Sequence, residues 1–207
     1  MVTGSRFLVQ AFEGAKLDSW LVHAKRVRGL SGKLGFGKGS LEFLGYVVDL
    51  DSGSIYDKLK RRHLNEPESL YLLLDHYSEA KPAESAGRLV VFRNLPGGYA
   101  YENAFVERAI RPVSEIFAGK AEAFIEAAEV LGGVRGKYGD VSVEIPALPR
   151  VPLTYVMWRG DEELQPSANI LFDASAGSYL PTEDLAVLGE LTTMRLIDVL
   201  ESKKKRV

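Results

Sequence analysis

Segments with the periodicity of strands and segments with the periodicity of helices follow one another irregularly along this chain. The clearest strand pattern covers residues 141–145, where apolar side chains alternate with Ser142 and Glu144. The clearest helix starts are Asn65 and Thr182, which are favoured N-cap residues ahead of leucines at helical spacing. Because no regular strand–helix–strand order appears, the pattern predicts an α+β fold and argues against a parallel sheet with crossover helices.

The same patterns give a provisional element order. We expect helices over residues 6–28, 65–79, 99–110 and 120–131 and from Thr182 onward, with Pro112 breaking or kinking the chain. We expect a hairpin over 41–56 with its turn at Asp51-Ser-Gly53, and strands over 88–92, 141–145 and 153–158. The apolar run 169–172 is compatible with either type of element.

These elements predict one compact domain with a mixed or antiparallel sheet packed against four to five helices. Within it, residues 1–40 form an N-terminal helix and a glycine-rich loop, 41–202 form the α+β core, and 203–207 form a basic tail.

Composition excludes several classes of protein. The 207 residues include 26 Lys and Arg against 28 Asp and Glu, so the net charge of −2 does not indicate a basic nucleic-acid binder. Cysteine is absent, which excludes disulfides, cysteine-ligated zinc, iron–sulfur clusters and thiol catalysis. No apolar run reaches the roughly 18 residues of a membrane helix, and residues 1–22 lack the apolar core of a signal peptide. We therefore expect a cytoplasmic protein.

The glycine-rich loop, residues 29–39, contains a partial phosphate-binding motif. Gly32-Lys-Leu-Gly-Phe-Gly37-Lys38 matches the first part of a P-loop, but Gly39 stands where Ser or Thr must hold magnesium. The loop also follows a predicted helix, whereas a P-loop follows a buried strand. We interpret it as a connector, with phosphate binding through backbone N–H groups as the alternative.

Two of the three histidines border apolar helix faces. His63 follows a basic run and is expected to be solvated, and no pair has the spacing of a zinc protease. A lone histidine on an apolar face is typical of a core residue, and it is also sufficient for axial ligation of a haem-like cofactor.

The first functional hypothesis is therefore non-catalytic binding of an anionic aromatic cofactor, and its most specific version is binding of a tetrapyrrole. A histidine would ligate iron, basic residues would pair with propionates, and aromatic residues would form apolar walls. The candidate residues are His23, His76, Arg26, Lys38, Arg93, Trp20, Phe36, Tyr77 and Tyr99.

The second hypothesis is a metal-dependent enzyme acting on a phosphorylated or nucleotide substrate. Carboxylates that are concentrated between residues 161 and 184 could converge on Mg²⁺ or Mn²⁺ or act as a general acid–base pair. They are Asp161, Glu162, Asp173, Glu183 and Asp184. The third hypothesis is an RNA-associated interaction protein that uses residues 25–38 and the basic tail, although the net charge makes nucleic acid the less favoured partner. The sequence leaves a homo-oligomer open.

Several strings in the chain resemble one known family. Pro149-Arg-Val-Pro-Leu153, Trp158-Arg-Gly-Asp-Glu-Glu163, residues 166–173 and 179–189, and Phe92-Arg-Asn-Leu-Pro-Gly-Gly98 are similar to the prokaryotic domain of unknown function 3786 family. The resemblance spans most of the chain after about Leu41. It implies a protein of archaea or anaerobic bacteria, without an established activity. Some relatives carry a cysteine-rich iron–sulfur segment, from which this chain departs. Such organisms use corrinoids and other tetrapyrroles, which is an association and not a mechanism.

Overall fold

The computed structural model describes residues 19–160, 163 and 165–204. Helix α1, Ser19–Arg28, forms the described part of the predicted N-terminal helix. It packs against α2, Glu68–Ser78, through Trp20, Ala24 and Val27, which share one face because they are four and three residues apart. Helix α2 begins three residues after the predicted cap, with Pro67 at its N-cap position.

The first sheet is an antiparallel meander of four short strands, β1 Leu41–Phe43, β2 Tyr46–Val48, β3 Ile55–Asp57 and β4 Arg62–His63. The prediction of a single hairpin over residues 41–56 was incomplete, because the chain reverses a first time at Leu44-Gly45. Both turn residues have positive φ, 48° and 77°, which matches a tight hairpin turn. Leucine rarely adopts this conformation, so the sequence pattern does not mark the turn.

The second sheet is also antiparallel and has the strand order β5-β9-β8-β7-β6. Its strands are β5 Leu89–Val91, β6 Val134–Arg135, β7 Val141–Leu148, β8 Val151–Trp158 and β9 Ser167–Asp173. The apolar run 169–172 is therefore a strand. The prediction of an α+β fold is confirmed, with antiparallel sheets.

The remaining helices cover one face of the second sheet. They are α3 Gly98–Phe105, α4 Arg111–Ile116, α5 Ala121–Val130 and α6 Thr182–Lys204. A π-helical turn, Val106–Ile110, joins α3 to α4, so the chain stays helical through Pro112 where a break or kink was expected. A wider turn ahead of a proline accommodates its ring and its missing N–H.

The inner face of the second sheet forms the core with α5 and α6. Tyr155 on β8 is wholly buried, and its hydroxyl donates to the carbonyl of Gly189 at 3.2 Å and lies 3.0 Å from Thr193 Oγ1. Because side chains alternate along a strand, the neighbouring Thr154 belongs to the outer face, which α5 and α6 do not cover.

The last helix connects the two sheets through an ion pair. Arg195 on α6 is 0% exposed and makes a bidentate bond with Asp57 on β3, at 2.7 and 2.8 Å. The first residue of the predicted basic tail belongs to the same helix, because Lys203 lies within α6 and pairs with Glu126 at 2.7 Å. Residues 205–207 lie outside the described residues.

Candidate ligand-binding cleft

Residues 79–87, here called the strap, connect α2 to β5 and run along the loop between β9 and α6. The backbone N–H of Lys81 donates to the carbonyl of Ser178 at 3.1 Å. The hydroxyl of Tyr179 donates to the carbonyl of Ala83 at 2.5 Å and accepts from its N–H at 3.2 Å. These bonds hold an otherwise exposed segment in one position.

Asp173, at the end of β9, holds the second half of the strap. Its carboxylate accepts bonds from Ser85 Oγ at 2.7 Å and from the N–H groups of Ala86 and Gly87 at 2.9 and 3.2 Å. It also accepts from the N–H and hydroxyl of Ser175. Burial opposes ionisation here, yet the hydrogen bonds from Ser175 and Ser85 outweigh it and lower the pKa of Asp173. This carboxylate is therefore fully used in holding the loop.

A buried tyrosine connects the glycine-rich loop to the turn between β7 and β8. Tyr77 is 0% exposed; its hydroxyl donates to the carbonyl of Leu34 at 2.9 Å and accepts from the N–H of Arg150 at 3.1 Å. Burial raises the pKa of this hydroxyl. Tyr77 also stacks on Tyr179 with ring centroids 6.3 Å apart, and Phe36 meets its ring edge-on at 6.0 Å. One side chain thus positions three loops.

The strap, the glycine-rich loop, the β7–β8 turn and the outer face of the second sheet enclose a cleft of about 750 Å³, here called the strap cleft. Its apolar lining includes Leu34, Leu89 and Pro152. Its polar and charged lining is Glu84, Ser85, Glu144, Arg150, Thr154, Asp173, Ser175 and Tyr179. The volume falls within the range of small-molecule sites in proteins.

Thr154 is the most informative residue of this lining. It is 3% exposed, and its hydroxyl has no hydrogen-bond partner within the described part of the chain. No wholly inaccessible side-chain nitrogen or oxygen among the described residues lacks a partner, so this hydroxyl is reached through the cleft. The hydroxyl is therefore free to donate to, or accept from, a molecule in the cleft.

Three charged side chains of the cleft also have no ionic or hydrogen-bonded partner among the described residues. They are Arg150 in the β7–β8 turn, Glu144 on β7, and Glu84 on the strap, and all three are exposed. One cation and two carboxylates are therefore available to a ligand.

Two smaller clefts flank the strap. One, of about 650 Å³, includes Arg26 and Lys33 and shares Leu34 and Pro82 with the strap cleft. The other, of about 500 Å³, includes His76 and Lys81 and shares Tyr179 with it.

Both histidines proposed as iron ligands are paired with carboxylates. His76 Nδ1 lies 2.5 Å from Asp184 Oδ2, at the start of α6, and His23 Nδ1 lies 2.5 Å from Asp75 Oδ2 on α2. Burial raises the pKa of Asp184, and the bond from His76 opposes that rise. In each pair Nε2 remains as the ring nitrogen that can bind a further group.

The structure brings together part of the set proposed for tetrapyrrole binding. Arg26, His76, Tyr77 and Phe36 lie in or directly behind the three clefts around the strap. The others lie elsewhere in the fold. Trp20 packs against Tyr71 and the backbone of Gly53, and Arg93 lies over the ring of Tyr99 at 4.8 Å. Lys38 lies in the glycine-rich loop, where a Cβ at Gly32 would be 3.4 Å from its Cγ.

The carboxylates proposed to bind a metal are separated. Asp173 holds the strap, Asp184 pairs with His76, and Glu183 accepts a bond from Tyr101 at 2.8 Å. Asp161 and Glu162 lie outside the described residues. Among the residues that the structure describes, no group of three His, Asp or Glu side chains is arranged to hold a metal ion. Binding of Mg²⁺ or Mn²⁺ stays a prediction.

Of the polar residues of the strap cleft, sequence reasoning gave a role only to Asp173, as a candidate metal ligand, and it gave none to Arg150, Glu144 or Thr154. Arg150 belongs to the family-like segment Pro149–Leu153, but the sequence assigned it no role. Glu144 was noted only as a polar residue in the alternating pattern of β7. Thr154 was a polar residue within an apolar run, which was the one available signal.

The family model described as a domain of unknown function (DUF3786) matches residues 36–195. The chain belongs to the DUF3786 family. The matched residues include the strap, the β7–β8 turn and β9, and therefore most of the strap cleft. No curated protein and no solved structure matches this DUF3786 member. None of its described helices combines the length and the apolar character needed to cross a membrane.

Proposed function

We propose that this protein is a non-catalytic binder of a small organic anion, and that the ligand lies in the strap cleft. The observation that carries the proposal is the hydroxyl of Thr154, which belongs to an almost wholly buried residue, borders the cleft and has no partner in the described residues. Arg150 supplies the charge that recognises the anionic group, because a guanidinium binds carboxylate or phosphate in a bidentate manner.

The backbone around these two residues is held firmly before any ligand arrives. Tyr77 bonds the N–H of Arg150, and Thr154 lies within a strand that is paired on both sides. A site whose groups are already positioned loses less conformational entropy on binding. Leu34, Leu89 and Pro152 favour a ligand that also has an apolar part.

Isothermal titration with phosphate, benzoate and 4-methylpentanoate tests this proposal. We expect at least one of these anions to bind, with about tenfold weaker affinity in Thr154→Val, which keeps the shape and removes the hydroxyl, and in Arg150→Gln. Arg62→Gln is the matched control, because Arg62 is exposed on β4 away from the cleft. Equal affinity in all four proteins, or no binding of any anion, would contradict the proposal.

A tetrapyrrole is the second candidate ligand, and the pair of His76 with Asp184 favours it. A carboxylate bound to Nδ1 fixes the ring and makes Nε2 a better ligand for iron. His76 lies beside Lys81 in the smaller cleft, where an ammonium group can pair with a propionate.

Titration with haemin, followed by the Soret band, tests this second candidate. We expect a shifted band in the wild type and in His63→Ala, and loss of the shift in His76→Ala. His23→Ala separates the two proposed histidines. A spectrum that is the same in the wild type and His76→Ala, or that shows no binding of haemin, contradicts the role of His76.

A further inference from the structure

The charges of the strap cleft do not suit a ligand that is only an anion. Beside Arg150 stand two carboxylates, Glu144 and Glu84, that have no partner in the described part of the chain. The carboxylate of Asp173 does not need a cationic group from the ligand, because it already accepts hydrogen bonds from Ser85, Ser175 and the strap backbone. A simple anion on Arg150 would leave both glutamates without a partner, so it would bind more weakly than a ligand that also carries a cation for them.

The register of the sheet places one of these glutamates beside the buried hydroxyl. Glu144 on β7 is directly opposite Thr154 on β8, and both side chains belong to the outer face. Directly opposed residues have Cβ atoms about 5 Å apart. A carboxylate and a hydroxyl at this distance are hydrogen-bond acceptors that can hold an ammonium group together.

The strand geometry also sets the distance between this pair and the cation. Arg150 is the last residue of the β7–β8 turn, and Thr154 is the fourth residue of β8, so about 13 Å of extended chain separates their backbones. The arginine side chain can span about half of that distance, so the ligand must separate its own charges by several ångströms. The ammonium and carboxylate of a free amino acid are too close for this, whereas each added residue of an extended peptide contributes about 3.5 Å.

We infer that the ligand of the strap cleft is a zwitterion of the short-peptide class, two or three residues long. Its ammonium group binds Glu144 and the Thr154 hydroxyl, its carboxylate binds Arg150, and an apolar side chain contacts Leu89 and Pro152. Glu84, on the strap, adds a second carboxylate to the cleft and so also favours a ligand with a cationic group. This inference rests on the proposed function, because it takes the anionic group on Arg150 from there and adds the amine.

Four probes that differ by one group each test the inference by isothermal titration. They are the dipeptide Leu-Leu, N-acetyl-Leu-Leu, which lacks the ammonium group, Leu-Leu amide, which lacks the carboxylate, and free leucine, which is too short. We expect Leu-Leu to bind most tightly and each of the others to bind at least about tenfold more weakly.

Two variants assign these losses to residues. In Glu144→Gln the preference for Leu-Leu over its acetylated form should fall toward one, while the preference over the amide persists. In Arg150→Gln the opposite pattern is expected. Glu115→Gln is the matched control, because Glu115 is an exposed glutamate on α4 outside the cleft, and it should keep both preferences.

The outcomes separate this inference from the function on which it rests. If the acetylated dipeptide binds as tightly as Leu-Leu, or Glu144→Gln keeps the preference, the zwitterion is overturned and the anion site on Arg150 stands. If the amide binds as tightly as Leu-Leu, Arg150 has no role and both proposals fail. If none of the four probes binds at millimolar concentration, the short-peptide class is overturned, and the anion titrations decide the proposed function separately.

Discussion

Two arginines of this chain occupy opposite situations. Arg195 is fully buried and bonds to both oxygens of Asp57, to the carbonyl of Leu44 at 2.9 Å and to Asp198 at 3.1 Å. Arg150 is exposed at the strap cleft, and its guanidinium has no partner among the described residues. The charge of Arg195 is paired within the fold, whereas the charge of Arg150 remains available to a ligand. An unpaired charge in a cleft, beside the hydroxyl of Thr154, indicates a binding site.

The region of Arg195 is complete without a ligand. Burial works against ionisation of Asp57, but the bonds from Arg195 and from the backbone N–H groups of Lys60 and Leu59 overcome it and lower the pKa of that carboxyl. The guanidinium also lies over the ring of Tyr46 at 4.1 Å, and its Nη2 atom would be 3.1 Å from a side chain at Gly45. Each nitrogen of the Arg195 guanidinium donates at least one hydrogen bond, so this cluster connects α6 to the first sheet without a further partner.

The largest effect is expected from Arg195→Met. Removing the guanidinium leaves Asp57, 1% exposed, as a buried charge without its cation, and we expect a loss of about 3–5 kcal/mol in the free energy of unfolding. Urea denaturation measures it. The double variant Arg195→Met with Asp57→Leu should recover part of the loss, because no charge is then stranded. A single-variant loss below about 1 kcal/mol would show that the two regions do not differ as described.

A smaller loss is expected from Tyr77→Phe, at the junction behind the cleft. The variant leaves the carbonyl of Leu34 and the N–H of Arg150 without their shared partner, which should cost about 1–2 kcal/mol in urea denaturation. Tyr138→Phe, at an exposed tyrosine, is the matched control and should change little. If Tyr77→Phe were as stable as the control, the cleft would not depend on this hydroxyl.

The contrast between the two regions also explains what the sequence could predict. Strand β7 was predictable because Ser142 and Glu144 alternate with apolar residues, and α6 because Thr182 precedes a long series of leucines. Strand β9 was not assigned, since its short apolar run has no alternation. Propensity and periodicity are local properties, and these elements form where the local pattern agrees with the packing.

The candidate site was less predictable because its members are far apart in the chain. His76 and Asp184 pair across 108 residues, and Asp173 holds the strap across 86 to 88. Both Arg150 and Arg195 stand beside apolar residues in the sequence. Tertiary packing alone decides that the guanidinium of Arg195 has several partners, whereas that of Arg150 has none among the described residues. Some of the basic and aromatic residues singled out from the sequence therefore contact each other and not a ligand, as Arg93 and Tyr99 do.

A pH-dependent effect of about 1 kcal/mol is expected from Asp173→Asn at pH 7, since the amide keeps only part of the hydrogen bonding. The folded pKa of Asp173 is lowered from an ordinary value of 3.8. The ionised carboxylate therefore contributes stability above about pH 4, and that contribution is lost as the pH falls through the folded pKa. Urea denaturation at pH 7 and pH 3 should show a smaller difference between wild type and variant at the lower pH. Asp51→Asn is the control; a difference that grew on acidification would contradict the assignment.

The smallest effect on stability is expected from Arg150→Gln. This variant tests the difference between Arg150 and Arg195 most directly. An exposed guanidinium that bonds nothing in the folded chain can be removed at a cost below about 0.5 kcal/mol, against several kcal/mol at Arg195. Thermal melting without ligand should therefore superimpose on the wild type, while the rise in Tm caused by Leu-Leu should shrink, because ligand stabilisation scales with affinity. A ligand-free loss above about 1 kcal/mol would mean that Arg150 already serves the fold, as Arg195 does. An unchanged ligand-free Tm together with a smaller rise on addition of Leu-Leu would show that the Arg150 guanidinium contributes to binding and not to folding.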